Sequence, residues 1–383
     1  MSGLILNGDT SGSVTLNVPA VAGSSTVTLP STTGNISVLP TGYSLGAGDT
    51  TRFKNRIING DMRIDQRNAG ASVIPSVNPQ YLVDRFAVEN SVASKFAYQQ
   101  NAGSVTPPNG FNNYLGATSQ SAYSIGSGDY FLLQQRIEGF NVADLHWGTA
   151  NAKTITLSFW VRSSLTGTFG GNLQNSANNR FYPYSYTISA ANTWEQKTII
   201  IAGDTTGTWE KTTSTGIMIR WSLGTGSTYL GSAGSWGATA YLGVTGQTNA
   251  VGTNGATFYI TGVQLEVGSQ ATSFEYRDYG DQLRMCQRYY QALEQFYGVK
   301  TPSGYTRINI RLPAAMRTAP SVTFNDAVGN ASKISIYYGN DARTDNVGAI
   351  SVAGASTTQF QLLPNNADSA PGYVFSASMS AEL

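Results

Sequence analysis

At 383 residues the chain is long enough for two or three domains that each bury a core. Charged residues make up only 12% and glycine numbers 42, a balance that points to an all-β protein with many turns and a neutral polar surface. Lysine and arginine (23) nearly match aspartate and glutamate (22) without forming a basic cluster, so no nucleic-acid partner is expected.

Single residues and runs exclude more. No stretch of 18 apolar residues is present, so no membrane insertion is expected. The N-terminus lacks the cationic and apolar regions of a signal peptide, which predicts synthesis in a cytoplasm. Cys286 stands alone, so no intrachain disulfide can form, and it reads as a small buried hydrophobe. His146 in "DLHWG" is also alone, which removes His-based zinc sites and most catalytic triads.

Residues 1–48 carry one charged side chain, Asp9, and two echoing fragments, "GSVTLNVP" and "SSTVTLPS", in which V-T-L alternates as half-buried strands do. Val14, Leu16, Val18, Val27 and Leu29 are too few to close a core, and a lone two-stranded hairpin is marginal in water. Such a short-strand segment needs a partner. Residues 37–54, rich in Gly, Pro and Asp, read as a linker.

Strands of five to eight residues with turn signals between them then run to about Tyr276. "TLSFWVR" sends Leu157, Phe159 and Val161 to one face and Ser158, Trp160 and Arg162 to the other; "IMIRWSLG" groups Ile217, Ile219, Trp221 and Leu223. Two facing sheets would bury those inward residues. "TFYITGVQLEVG" is a further strand with Gly262 as a bulge. With no fixed repeat period, residues 49–277 fit a β-sandwich of jelly-roll type better than a solenoid.

Leu283, Cys286, Tyr290, Leu293 and Tyr297 recur at alternating three- and four-residue steps, which predicts a connector α-helix of about four turns at about 280–297, within a linking segment 278–298. Asp281 is its expected cap and Gly298 its stop. Two readings stay open for the stripe: a helix lying on its own chain's sheet, or a seam where copies of the chain meet about a symmetry axis. Residues 299–383 return to β alternation in "RINIRLP", "KISIYYG", "TQFQLLP" and "GYVFSASMSAEL", a smaller C-terminal β domain expected to end in an ordered strand.

Several stretches resemble phage tail-fibre and virion-appendage proteins. "NRIINGDMRIDQRNAG" followed by "YLVDRF" resembles the opening of their jelly-roll module, and "GVQLEVGSQATSFEYRDYGDQLRMCQRYYQ" its closing strand, turn and helix, in one order. "GDTSGSVTLNVPAVAGSSTVTLP" resembles their virion-proximal repeats. The resemblance implies a homotrimeric structural appendage of the virion, attached to other virion or tail proteins through residues 1–48, with a sandwich related in fold to carbohydrate-binding modules. It implies adhesion to a host-surface glycan; a purely structural connector or decoration protein is the alternative.

Modules of that fold often carry a structural calcium, and the resemblance suggests Asp61, Asp65 and Glu266 as oxygen ligands. The residues alone read "NGD" at 59–61 as a turn, with Asp61 holding its own backbone, and Asp84-Arg85 as a local ion pair or backbone anchor at a domain edge. Trp160, Arg162, Tyr182, Tyr184 and Trp194 are the candidate glycan contacts, because flat rings stack on sugars while polar neighbours bond hydroxyls. A net charge of +1 points to a neutral or weakly charged glycan. A depolymerase would need paired carboxylates, and Asp61, Asp65, Glu89, Glu138, Asp144 and Glu195 show no pairing spacing, so an enzyme is not expected.

Overall fold

The computed structural model describes residues 3–7, 13–17, 53–297, 299–300, 306–337, 343–347, 350–364 and 372–383. The chain forms two compact units, residues 1–48 and 49–383. In the first, β1 (Gly3–Asn7) pairs antiparallel with β2 (Ser13–Asn17), Leu4 opposite Leu16 and Leu6 opposite Val14. "SVTLN" is thus a strand, as its alternation predicts; the echo "SSTVTLPS" and the linker up to residue 52 lie outside the described residues.

The second unit opens as a jelly-roll-type β-sandwich. Its strands are β3 (Gln80–Tyr81), β4 (Phe86–Asn90), β5 (Phe96–Gln100), β6 (Leu115–Ser119), β7 (Tyr130–Glu138), β8 (Ile155–Ser163), β9 (Gly167–Asn175) and β10 (Phe181–Ile188). They continue with β11 (Glu195–Ile201), β12 (Thr215–Thr225), the short pair β13 (Leu230–Gly231) and β14 (Gly243–Val244), and β15 (Thr257–Val267). Six strands in the order β10-β9-β12-β7-β4-β3 face five in the order β11-β8-β15-β6-β5. Period-2 alternation decides what each face carries. Leu157, Phe159, Val161, Ile219, Trp221 and Leu223 are wholly buried between the sheets, where Phe159 meets Trp221 edge to face at 5.8 Å.

Two glycines show why the sandwich closes as it does. Gly262 has φ of +61° and sits where β15 shifts register against β8, so the expected bulge is present; an added Cβ would lie 2.7 Å from the Phe111 ring and 3.0 Å from Trp160. Gly60, in the "NGD" turn, lets its backbone approach β15, where a Cβ would come within 2.1 Å of the Val263 carbonyl.

The connector differs from its expectation. The helix, α1, covers only Tyr279–Gln287 and is capped by Asp278, whose carboxylate accepts from the Gly280 amide at 2.8 Å. The remainder becomes strand β16 (Tyr290–Tyr297). Two contacts end the helix at this point. Arg288 donates to Glu138 at 2.6 and 2.9 Å, and buried Tyr289 donates its hydroxyl to the same carboxylate at 2.7 Å. The next residues then pair along β24 (Gly372–Ser380), a ladder that overrides helical spacing. The stripe from Leu283 to Tyr297 is therefore not one helical face. Cys286 is buried with Ile58, Ile64 and Tyr289, Leu283 flanks that cluster, and Leu293 packs on the C-terminal core; the Tyr297 side chain lies outside the described residues.

Beyond β16 come β17 (Val299–Lys300), β18 (Thr306–Arg311), β19 (Ser321–Asn325), β20 (Ile334–Tyr337), β21 (Arg343–Val347), β22 (Ile350–Ala353) and β23 (Gln359–Pro364). β16, β19 and β20 all pair with β24, while β17-β18-β23-β22 form a second sheet. Ile308, Ile310, Phe360, Leu362, Ala377 and Met379 supply the core, as alternation predicts for "RINIRLP" and "TQFQLLP". Among the described residues no helix is long and apolar enough to cross a membrane.

Candidate functional site

The outward face of the six-stranded sheet holds a polar cleft of about 220 Å³. Met218 and Arg220 on β12, Glu89 on β4 and Arg136 on β7 line it, with Ser176 and Asn178 from the β9–β10 turn and Thr215 at its rim. Alternation places these side chains outward, because Ile217, Ile219 and Trp221 take the inward positions of the same strand.

Arg220 organises the floor. It is only 6% exposed, and its guanidinium is held by three neighbouring strands: Nε donates to Gln134 Oε1 on β7 at 3.0 Å, Nη2 to Glu89 Oε2 on β4 at 2.7 Å, and Nη1 to Gln174 Oε1 on β9. Burial lowers the Arg220 pKa and the Glu89 charge opposes that, so the group stays cationic. Gln174 passes the order on, donating to Asn178 Oδ1 at 2.6 Å. Arg136 Nη2 stands 3.9 Å from Glu89 Oε2, while its Nη1 donates to the Leu383 carbonyl at 2.9 Å. Tyr130, set edge to face with Tyr229 at 5.8 Å, is half-buried, and burial first and the Glu89 charge second raise its pKa against the opposing Arg220 charge.

Such a floor can bond hydroxyls through a fork that is already oriented, with a carboxylate within reach and the Met218 thioether as an apolar neighbour. Sequence reasoning named Glu89 only among the carboxylates without a pairing spacing and missed the others. The signal was present in the outward polar positions of "IMIRWSLG", "FLLQQRIEG" and "GGNLQN", but only strand register brings them together.

The expected contacts fall elsewhere. Trp160 and Arg162 lie on the outward face of the other sheet: Trp160 is half-buried, and Arg162 sits over the Tyr259 ring at 5.5 Å and donates to the Asn192 carbonyl at 3.0 Å. Trp194 is half-buried against Tyr114 and donates Nε1 to the Thr106 carbonyl at 2.9 Å. Tyr182 and Tyr184 are corrected. Both rings point between the sheets, Tyr184 is 1% exposed, and its hydroxyl donates to the Arg220 carbonyl at 2.8 Å, so neither offers a face to a sugar.

The three expected calcium ligands are not brought together. Asp65 accepts from the Asn68 and Gly70 amides, closing a turn, and Glu266 accepts from Thr272 and Gln264. Asp61 lies 3.0 Å from Arg63, and burial raises its pKa against that attraction. Among the described residues no three His, Cys, Asp or Glu side chains cluster as a metal site would require. The carboxylates weighed for glycan cleavage are likewise dispersed: Glu138 holds Arg288 and Tyr289, Asp144 holds Arg56, and Glu195 holds Lys197.

No protein-family model and no curated protein matches the sequence. Among solved structures the chain is similar to the enzymatically active domain of bacteriophage CBA120 tailspike protein 4, at 10% identity and a TM-score of 0.31, over 56% of this chain and 22% of that one. It is also similar to a family 4 carbohydrate-binding module, at 12% identity and TM-score 0.29, covering 55% of this chain and 98% of the module. A third is the family 11 carbohydrate-binding module from Clostridium thermocellum in complex with a β-1,3-1,4-mixed-linked tetrasaccharide, at 12% identity and TM-score 0.27, over 54% and 98% of the two chains.

Proposed function

We propose that this chain is a structural tail-fibre or appendage protein of a phage virion, homotrimeric, whose sandwich holds a host-surface glycan in the Arg220 cleft without cleaving it. The observation that carries the glycan reading is the guanidinium fixed by acceptors from three strands, one of them the partly exposed Glu89 carboxylate, an arrangement suited to neighbouring hydroxyls. The appendage reading is supported by the sequence resemblance, and self-association by residues 1–48, whose apolar side chains are too few to close a core. Trp160, Arg162 and Trp194 on the opposite sheet are proposed as a second, shallower contact. A glycan array probed with the full chain and with Ser176→Trp tests the cleft. Ser176 is an exposed rim residue, so the new ring should block the cleft and leave the core alone. Binding that survives Ser176→Trp unchanged removes the cleft from the proposal; no binding to any glycan leaves the structural connector.

A further inference from the structure

We infer that the cleft selects a sugar bearing a carboxylate, such as a uronic-acid residue of an acidic glycan, an inference that rests on the glycan reading above. The whole chain is nearly neutral at +1, but the cleft is not a sample of the whole chain. Its lining holds two guanidinium groups, Arg136 and Arg220, and one carboxylate, Glu89. Glu89 is already committed to Arg220 at 2.7 Å and leaves Arg136 at 3.9 Å, beyond hydrogen-bond reach. The lining side chains therefore carry one more positive charge than negative, and Arg136, besides its longer approach to Glu89, turns Nη1 to the main-chain oxygen of Leu383 at 2.9 Å.

Hydrogen-bond accounting gives the same sign. A guanidinium has five N–H donors. Arg220 spends three of them on Gln134, Gln174 and Glu89 and a fourth, longer one on the Met218 sulfur at 3.9 Å. Arg136 donates only to the Leu383 carbonyl, and its buried Nε has no partner. Asn178 Oδ1 is already taken up by Gln174. The buried Gln134 Nε2 is also unpartnered. On the acceptor side stand the second Glu89 oxygen, the buried Asn172 Oδ1, and the hydroxyls of Ser176 and Thr215. A donor-rich cleft whose lining side chains are net cationic is complementary to an acceptor-rich, anionic group, and the planar guanidinium matches a carboxylate through two parallel bonds.

Size narrows the ligand further. About 220 Å³ is below the roughly 300–1,000 Å³ of pockets for drug-sized molecules, which suits one ring of a chain rather than a long segment. Arg136 and Glu89 keep 24% and 26% of their side-chain surface, so an incoming carboxylate can reach Arg136 from solvent, whereas Arg220 at 7% serves as the fixed base of the site.

The test uses the full chain at fixed, near-physiological salt, with polygalacturonate, its carboxyl-reduced neutral product, and an array of uronate-bearing, sialylated and neutral glycans. The expected result is enrichment of carboxylate-bearing glycans and a preference of roughly tenfold or more for the acid form of the bound sugar over its reduced form, the scale of one charge-assisted pair. Arg136→Gln should bring that ratio close to one. Glu89→Gln, which removes the competing negative charge, should raise acidic-glycan affinity several-fold, and it keeps the inference testable if loss of the Leu383 contact unfolds Arg136→Gln. Binding of neutral glycans alone, equal binding of acid and reduced forms, or weaker acid binding by folded Glu89→Gln overturns the selectivity and leaves the glycan reading standing. Binding of nothing overturns both.

Discussion

Arg85, with 1% of its side chain exposed, pairs with Glu382, 297 residues further along the chain, and its guanidinium lies 3.6 Å above the Tyr289 ring. The "VDRF" turn was expected to hold a local ion pair or a backbone anchor; its ion pair is tertiary, Arg85 also anchors the Arg136 carbonyl at 2.6 Å and Asp84 the Gln66 amide at 3.0 Å, and Arg67 joins at 3.1 Å from Glu382. The end of the C-terminal β region is thereby fastened to the sandwich, and Arg136 and Tyr81 add bonds to the Leu383 carbonyl. Breaking a buried pair leaves the surviving charge unsolvated. Glu382→Ala should therefore cost about 3–5 kcal/mol in urea unfolding, whereas the double variant Arg85→Met with Glu382→Leu should recover much of it. Equal losses from single and double variants would show that packing, not charge, is what was removed.

Asp84, beside that pair, gives a pH dependence. Burial is the largest influence and Glu382 adds to it; together they raise its carboxyl from 3.8 to about 6, against the Gln66 hydrogen bonds and Arg67. A carboxyl whose folded pKa exceeds its unfolded value binds its proton more tightly in the folded state. Its contribution is full below about pH 4 and is lost as pH rises through about 6. Relative to Asp84→Asn, the wild-type chain should lose about 2–3 kcal/mol of stability across that window. Parallel stability curves for the two proteins would contradict the assignment.

Gly262→Ala should destabilise the sandwich. The position has φ of +61°, and the new methyl would press on Phe111 at 2.7 Å and Trp160 at 3.0 Å. Backbone strain and displaced rings together predict a loss of about 1–3 kcal/mol with an altered near-UV circular dichroism spectrum. An unchanged melting temperature would mean that the bulge relaxes freely.

How much of this was legible depended on range. Alternation alone placed Leu157, Phe159, Val161, Ile219 and Trp221 in the core and Gly262 at a bulge, because period 2 is a local property of the backbone. It misplaced "YQALEQFY", whose apolar spacing also fits a helix until β24 supplies a pairing partner. It missed the cleft for a related reason. Glu89, Gln134, Gln174 and Arg220 come from four strands, and the register that makes Arg220 face Gln134 on one side and Asn172 on the other is not written in any one of them. Tyr182 and Tyr184 were aromatic and near polar residues, but their strand turns those rings inward.

Self-association is tested by mass. Light scattering on the full chain at micromolar concentration should give three times the 40.7 kDa chain mass, and removal of residues 1–45 should leave a soluble product that no longer enters virions. A single-chain mass for the intact protein would end the trimer proposal.

The last prediction separates the two sheet faces. Trp160 packs beside Gly262 and is half-buried, so part of its ring supports the fold and part is open to solvent. If the Arg220 cleft holds the glycan, Trp160→Ala should lower stability by about 1–3 kcal/mol, in the range for removing part of a buried ring, while affinity changes less than about twofold. Ser176→Trp should do the reverse, with the melting temperature intact and affinity reduced at least about tenfold. If the opposite sheet carries the main contact, the pattern inverts: Trp160→Ala removes a stacking contact of about 1–3 kcal/mol, the scale measured for bases on aromatic rings, and Ser176→Trp has no effect on binding. Because Trp160 lies on β8 of the five-stranded sheet and Ser176 in the turn between β9 and β10 of the six-stranded one, their effects should add within about 0.5 kcal/mol in the double variant. A larger coupling would mean that the two faces act on one ligand or on one strained core, and the assignment of the cleft as an independent site would fail.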